Sequence, residues 1–138
     1  MIALTGTLGA ALLINGIVKE YWSRPRPRQL IEFGGNEAYH PWYSRATNHD
    51  DIEFKSFPSG HAAMGFFFLA FGLVGWYERK PWLMISGSLT GLLFGLVLSY
   101  GRILQGGHFT SDVVASAVIM WYVALVVCTV IYGRRKLT

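Results

Sequence analysis

Residues 57–77 read FPSGHAAMGFFFLAFGLVGWY, a short polar start followed by an uncharged apolar run. Pro58 and Ser59 end the preceding loop, and Ser is a favoured helix N-cap, so a helix is predicted to open at Ser59. The unpaired amides and the dipole of such a helix start favour an anion such as phosphate. His61 stands beside that position as a candidate proton donor. The Ser-Gly-His sequence at residues 59–61 also suits an ordinary helix cap. The rest of the chain has to distinguish a cap from a phosphate-binding helix start.

Composition indicates a membrane protein. Hydrophobic residues form 52% of the 138-residue chain and charged residues only 14%, which is unusual for a soluble protein. The charges are clustered, and the uncharged stretches between them are residues 1–18, 62–77, 81–101 and 113–133. Each approaches or reaches the roughly 20 residues that a helix needs to cross a bilayer. We therefore expect an all-α fold, a transmembrane helical bundle of four spans forming a single domain over residues 1–138. A soluble bundle would need polar faces that these segments lack.

Several other classes of function are disfavoured. The net charge of +4 does not indicate nucleic-acid binding, because the basic residues are split between loop, membrane edge and tail. Cys128 is the single cysteine and lies inside the last apolar run, so it predicts neither a disulfide nor a metal site. No metal or cofactor is expected. Residues 1–18 lack the basic start and cleavage site of a signal peptide and are interpreted as a span.

Two further patterns concern the membrane surface and helix packing. In Arg24-Pro25-Arg26-Pro27-Arg28, Pro prevents helix continuation, and the arginines could either anchor to lipid headgroups or clamp a phosphate. Residues 29–57 form a loop long enough to be a lid or binding surface.

Small residues recur every fourth position in the third span and predict a close helix partner; these are Gly87, Gly91, Gly95 and Ser99.

The four-span topology brings the polar clusters together. Residues 19–28, 59–61 and 102–112 emerge on one face of the membrane, and residues 78–80 and 134–136 on the other. Basic residues in short loops favour the cytoplasmic side, so the first face, with loop 29–57, is expected to be extracytoplasmic. Ionisable side chains at membrane helix ends are costly unless they serve a site.

These clusters resemble the three signatures of the type 2 phosphatidic acid phosphatase superfamily. The signatures are Lys, six residues, Arg-Pro; then Pro-Ser-Gly-His; then Ser-Arg, five residues, His, three residues, Asp. The matching positions are Lys19 with Arg26-Pro27, residues 58–61, and Arg102 with His108 and Asp112. Gly101 stands where the family usually has Ser.

The resemblance implies a role for each matched residue. His108 would attack phosphorus to form a phosphohistidine, Asp112 would hold the other imidazole nitrogen, and His61 would protonate the leaving group and then act as base. The phosphate would be held, without a metal, by Lys19, Arg26, Ser59, Gly60 and Arg102. Arg24 and Arg28 do not fit the spacing and are predicted to be rim residues near a headgroup.

The resemblance further implies an integral membrane phosphatase of the bacterial inner membrane, with its active site facing the periplasm. Its partners would be the bilayer and a phosphorylated envelope lipid: lipid A, undecaprenyl pyrophosphate, phosphatidylglycerol phosphate or phosphatidic acid. Residues 32–35 and 102–108 resemble the lipid A phosphatase branch. Vanadate-dependent haloperoxidases share the signatures, but they are soluble and larger.

One departure from the family bears on assembly. Membrane members usually have six spans, and this chain resembles the last four. Three explanations are open: a start upstream of Met1, a fragment, or a short form that self-associates to replace the missing helices. The alternative to an enzyme is a catalytically incomplete membrane subunit or a lipid-phosphate-binding fragment.

Overall fold

The structure is a computed structural model that describes residues 2–18, 22, 24–43 and 54–135. Its helices are α1 (Ile2–Thr5), continued as a π-helix (Gly6–Val18), then α2 (Gly60–Phe66), α3 (Leu69–Tyr77), α4 (Pro81–Leu104) and α5 (Thr110–Arg135). Two short 3-10 turns, Pro27–Gln29 and Ile31–Phe33, follow the first helix. Over these ranges there is no strand, only two isolated bridges, so the all-α prediction is confirmed.

Three of the four predicted spans are long and apolar enough to cross a membrane. They are Gly60–Tyr77, which comprises α2 and α3, then Pro81–Leu104 and Thr110–Gly133. The fourth, Ala3–Val18, is apolar but shorter. Much of the surface of α4 and α5 is exposed and apolar, including Leu93 and Val126, as lipid contact requires. The architecture is that of a multi-pass membrane protein.

The start of α2 follows the predicted cap. Ser59 has extended backbone angles, and the Ala62 amide donates to its hydroxyl. α2 and α3 form one nearly continuous rod, interrupted only at residues 67–68. A turn at residues 78–80 then reverses the chain, and Pro81 occupies the first turn of α4, where its missing amide hydrogen costs nothing.

The predicted ridge of small residues forms the contact between α4 and the α2–α3 rod. Gly87, Gly91, Gly95 and Ser99 are the buried residues of α4. A Cβ on Gly87 would lie 2.5 Å from the Gly72 amide nitrogen, so the two backbones touch. Small residues allow this approach, and van der Waals packing then holds the helices together.

α5 packs against the other side of the rod, together with the first helix. The core between them contains Ala10, Ile14, Phe66 and Met120. A Cβ on Gly9 would lie 2.7 Å from the Met120 sulfur, so the first helix and α5 pack closely at this glycine. This packing sets the starts of α2 and α5 side by side at one end of the bundle.

We expect Gly87→Ala to destabilise the helix pair, because the new methyl group meets backbone atoms of α3 that cannot move aside. Overpacking of this kind costs about 1–3 kcal/mol. Gly101→Ala is the matched control, since a Cβ there meets nothing within 4 Å. In detergent, the thermal unfolding midpoint should fall for Gly87→Ala and stay or rise for Gly101→Ala. Equal midpoints would contradict the backbone contact at Gly87.

Candidate functional site

Three segments of the chain meet at one end of the bundle. Backbone hydrogen bonds connect them, from Arg28 N to Gly106 O (3.1 Å), from Ser56 N to Arg24 O (3.1 Å) and from Ser59 N to Asp112 O (3.2 Å). The predicted convergence of the polar clusters is therefore confirmed. Lys19, a predicted phosphate ligand, lies outside the described residues.

His108 is buried at the centre of this cluster with a defined orientation. Its exposed fraction is 2%, and its Nδ1 lies 2.7 Å from the Ser56 carbonyl oxygen. Because a carbonyl can only accept, Nδ1 carries the proton of the neutral ring, and the lone pair is on Nε2. A neutral imidazole with a free Nε2 lone pair is a nucleophile.

The sequence analysis predicted that Asp112 holds the His108 imidazole directly, but the structure shows no direct hydrogen bond between them. Its Oδ2 lies 3.7 Å from His108 Nδ1, within ion-pair range but beyond hydrogen-bond distance. That oxygen already accepts from the Ser56 hydroxyl (2.6 Å) and from the Phe109 amide (2.9 Å). The contact between Asp112 and His108 therefore runs mainly through Ser56, whose hydroxyl meets the carboxylate and whose carbonyl meets the imidazole.

Arg24 was predicted to be a rim residue, and this prediction is wrong. Its side chain is 1% exposed and forms an ion pair with the fully buried Asp112 carboxylate. It also donates to the Ser111 hydroxyl (2.8 Å) and to the His40 carbonyl (3.0 Å). Its guanidinium carbon lies 3.9 Å above the Phe109 ring. A buried carboxylate needs such a partner, because an unpaired charge away from water is costly.

The remaining arginines form a different group. The pKa of Arg26 is lowered by burial and by the positive charges of Arg28 and Arg102. Over residues 24–43 and 54–135, no carboxylate pairs with any of these three side chains. Arg102 donates from Nη1 to Gln105 Oε1 (2.8 Å), while its buried Nε has no hydrogen-bond partner in this part of the chain. Uncompensated positive charge with an unused donor is suited to an anion.

The start of α2 contributes less to anion binding than predicted. Ser59 is fully buried, its hydroxyl caps the helix, and its amide donates to Asp112 O, so the expected amide contact with phosphate is wrong. The Gly60 amide has no partner among the residues that the structure describes. A Cβ on Gly60 would lie 2.8 Å from Asn15 Oδ1, so a larger residue there would require the Asn15 side chain to move. His61 lies exposed in the first helical turn.

A cavity of about 480 Å³ opens beside His108. Its walls combine apolar side chains with one cation and one amide; they include Arg28, Phe33, Leu104, Gln105, His108 and Phe109. Phe33 belongs to the predicted binding loop, residues 29–57, whose segment 44–53 lies outside the described residues. A cavity of this composition suits a headgroup attached to hydrocarbon chains.

Sequence reasoning missed one residue of this site and misplaced another. Ser56 precedes the Pro-Ser-Gly-His signature and belongs to none of the three patterns. Arg24 was noticed, but spacing favoured Arg26 over it. The available signal was the Arg-Pro repeat itself, which offers two arginines at nearly the same place in the chain.

The fold and the site together define a helical multi-pass membrane protein in which a buried histidine lies near arginines that lack a carboxylate partner in the described ranges. The chain belongs to the PAP2 superfamily, whose sequence profile it matches over residues 1–136, and this confirms the family recognised from the three signatures.

Three relatives carry the name lipid A 4′-phosphatase. The protein of Francisella tularensis subsp. novicida is 32% identical over 136 residues, which cover 98% of this chain and 59% of the relative. That of Rhizobium leguminosarum is 32% identical over 124 residues (88% and 49%), and that of Rhizobium etli is 33% identical over 121 residues (87% and 43%). The chain thus spans about half the length of the curated relatives it matches. No significant match was found among solved structures.

We expect inorganic phosphate to bind this site and to raise the thermal midpoint of the protein in detergent. Arg102→Gln removes a charged donor, worth about 1.5–3 kcal/mol, so phosphate should bind roughly 10- to 100-fold more weakly. Arg79→Gln makes the same chemical change at the opposite end of the bundle and should leave binding unchanged. Equal phosphate-induced shifts in the two variants would exclude Arg102 from the anion site.

Proposed function

We propose that the protein is a membrane phosphatase that removes the 4′-phosphate of lipid A. The observation that carries the proposal is the buried His108, with Nδ1 on the Ser56 carbonyl and Nε2 left for phosphorus, beside three arginines without a carboxylate partner in the described ranges. The names of the three relatives support the choice of lipid, and the family supports the reaction.

In the first step, His108 Nε2 attacks the phosphorus atom. A P–N bond forms, and the P–O bond to the sugar breaks. The departing alkoxide is a poor leaving group, so a proton must reach it as the bond breaks. His61, on the exposed first turn of α2, is the proposed donor.

In the second step, water attacks the phosphohistidine. His61, now neutral, takes the proton of the water molecule, and the P–N bond breaks to release inorganic phosphate and regenerate His108. Asp112, 3.7 Å from His108 Nδ1, stabilises the positive charge that the ring carries as a phosphoimidazole.

Fixed cations hold the phosphoryl group through both steps. Arg26 and Arg102, with Lys19, donate to its oxygens, and the Gly60 amide adds a neutral donor. The buried Arg102 Nε has no protein acceptor in the described segments, so a phosphate oxygen would satisfy it. These donors carry the charge of the transition state without a metal ion.

The cavity beside His108 is where the rest of the lipid would lie. Arg28 and Gln105 offer polar contacts to a sugar, while Phe33 and Leu104 offer apolar contacts to its acyl chains. We further propose that this end of the bundle faces the periplasm from the inner membrane, because the basic residues at 79–80 and 134–136 favour the cytoplasmic side for the other end.

The decisive measurement is phosphate release by the purified protein in detergent with EDTA present. We expect release from bisphosphorylated lipid A and none from lipid A that carries only its 1-phosphate. His108→Ala should abolish release, and Arg79→Gln should retain it. Undecaprenyl pyrophosphate, phosphatidylglycerol phosphate and phosphatidic acid complete the panel.

Each alternative outcome has its own meaning. If phosphate is released faster from another lipid of the panel, that lipid would be the substrate in place of lipid A, and the proposed phosphatase reaction would stand. Loss of activity in EDTA, restored by a divalent cation, would reject the metal-free mechanism. Phosphate binding without release from any lipid, by a folded protein, would favour a lipid-phosphate-binding subunit.

His61 can be tested through the leaving group. His61→Gln should lower kcat for lipid A by about 10²- to 10⁴-fold, the usual contribution of a general acid. An aryl phosphate releases a phenolate that needs little protonation. His61→Gln should therefore slow phosphohistidine formation from an aryl phosphate much less than from lipid A, as measured by the burst of phenolate in the first turnover. His108→Ala should show no burst with either substrate. An equal loss of burst rate for both substrates in His61→Gln would argue against its role as acid.

A further inference from the structure

Arg24 differs from the other arginines of the site in burial and in partners. Only 1% of it is exposed, whereas Arg26 is half-buried and Arg28 is exposed. Its Nε and Nη1 donate to protein acceptors, namely the His40 carbonyl, the Ser111 hydroxyl and the Asp112 carboxylate. Two of the three guanidinium nitrogens are thus engaged by protein groups, and the side chain is almost entirely enclosed.

The contacts of Arg24 surround the groups that orient His108. Its side chain pairs with Asp112 Oδ1, and its backbone carbonyl accepts from the Ser56 amide (3.1 Å). The other carboxylate oxygen, Oδ2, accepts from the Ser56 hydroxyl (2.6 Å). Ser56 is thus held at its amide and at its hydroxyl, and the carbonyl that remains accepts from His108 Nδ1 (2.7 Å).

We propose that Arg24 is a positioning residue for the nucleophile, acting through Asp112 and Ser56 to keep the proton of His108 on Nδ1 and the lone pair on Nε2. This rests on the proposed function, in which Nε2 attacks phosphorus. Two arginines two residues apart thereby have separate tasks: Arg26 binds the phosphoryl group, and Arg24 orients the group that attacks it.

The charges of the network explain why an arginine is required. Asp112 and Ser56 are fully buried, and a buried carboxylate is stable only when paired and hydrogen-bonded. Without the guanidinium, the carboxylate would draw other donors. The N–H group at His108 Nδ1 is one candidate, since Nδ1 lies 3.7 Å from Oδ2. The ring would then turn from the Ser56 carbonyl, and Nε2 would leave its line to phosphorus.

The test compares Arg24→Gln with Arg26→Gln, and uses Arg79→Gln as the control away from the site. Misplacing a reacting group by about 1 Å costs about 10²-fold in rate, so Arg24→Gln should lower kcat by about 100-fold with KM and the inhibition constant of inorganic phosphate unchanged. Arg26→Gln should raise that inhibition constant roughly tenfold or more, because it loses a charged donor to phosphate. Arg24→Lys keeps the charge beside Asp112 and should recover part of kcat.

Two further measurements keep the proposal testable if Arg24→Gln does not fold. Ser56→Ala removes only the hydroxyl link and should lower kcat by roughly tenfold at constant KM, the effect of one lost hydrogen bond. Nitrogen NMR of the imidazole, assigned by comparison with His108→Ala, should report Nδ1–H in the wild type and a mixture of tautomers in Arg24→Lys or Ser56→Ala.

The outcomes separate this inference from the proposed function. Wild-type protein that releases no phosphate from any lipid or aryl phosphate would reject the function, and the NMR experiment would still decide the orientation of His108. An active wild type with kcat unchanged in Ser56→Ala, or with the phosphate inhibition constant raised in Arg24→Gln as in Arg26→Gln, would overturn the role of Arg24. A wild-type imidazole protonated on Nε2 would also overturn it.

Discussion

The site is built around one buried carboxylate. Asp112 lies at the start of a membrane helix with no exposed surface, and there it can remain charged only if it is paired and hydrogen-bonded. The donors come from Arg24, from the Ser56 hydroxyl and from the Phe109 amide, while its backbone carbonyl accepts from Ser59. The side chain and backbone of Asp112 thus connect residues 24, 56, 59 and 109, which come from three separate segments of the chain.

The helices make that arrangement possible by fixing where the segments start. Glycines on α4 let it touch the backbone of the α2–α3 rod, and α5 packs on the opposite side with its first turn against Ser59. Close packing is the main source of helix association in a bilayer, since lipid offers no hydrophobic driving force between spans. The buried charges of Arg24 and Asp112 can then stay paired, because the close packing of the helices fixes the positions of the segments that carry them.

Prediction from the sequence succeeded where the signal is local and periodic. Apolar runs identified the spans, the four-residue spacing identified the ridge of α4, and Ser59 was recognised as a cap. It failed for contacts between distant segments. Arg24 and Asp112 lie 88 positions apart, and no pattern in either segment shows that they meet. The same limit hid the Ser56 carbonyl, because a backbone acceptor has no signature in sequence.

The amino-acid sequence by itself determined the helical membrane architecture, the family and the candidate residues, because hydrophobic length, small-residue spacing and signature spacing are properties of the chain alone. Only the tertiary structure decided which of those residues are buried and paired with protein groups and which are not. Arg24 and Arg26 are chemically identical, and their difference is burial: one side chain is enclosed against Phe109 and Asp112, the other lies near further positive charge. Burial and pairing set what a guanidinium can do, and both arise only when distant segments pack together.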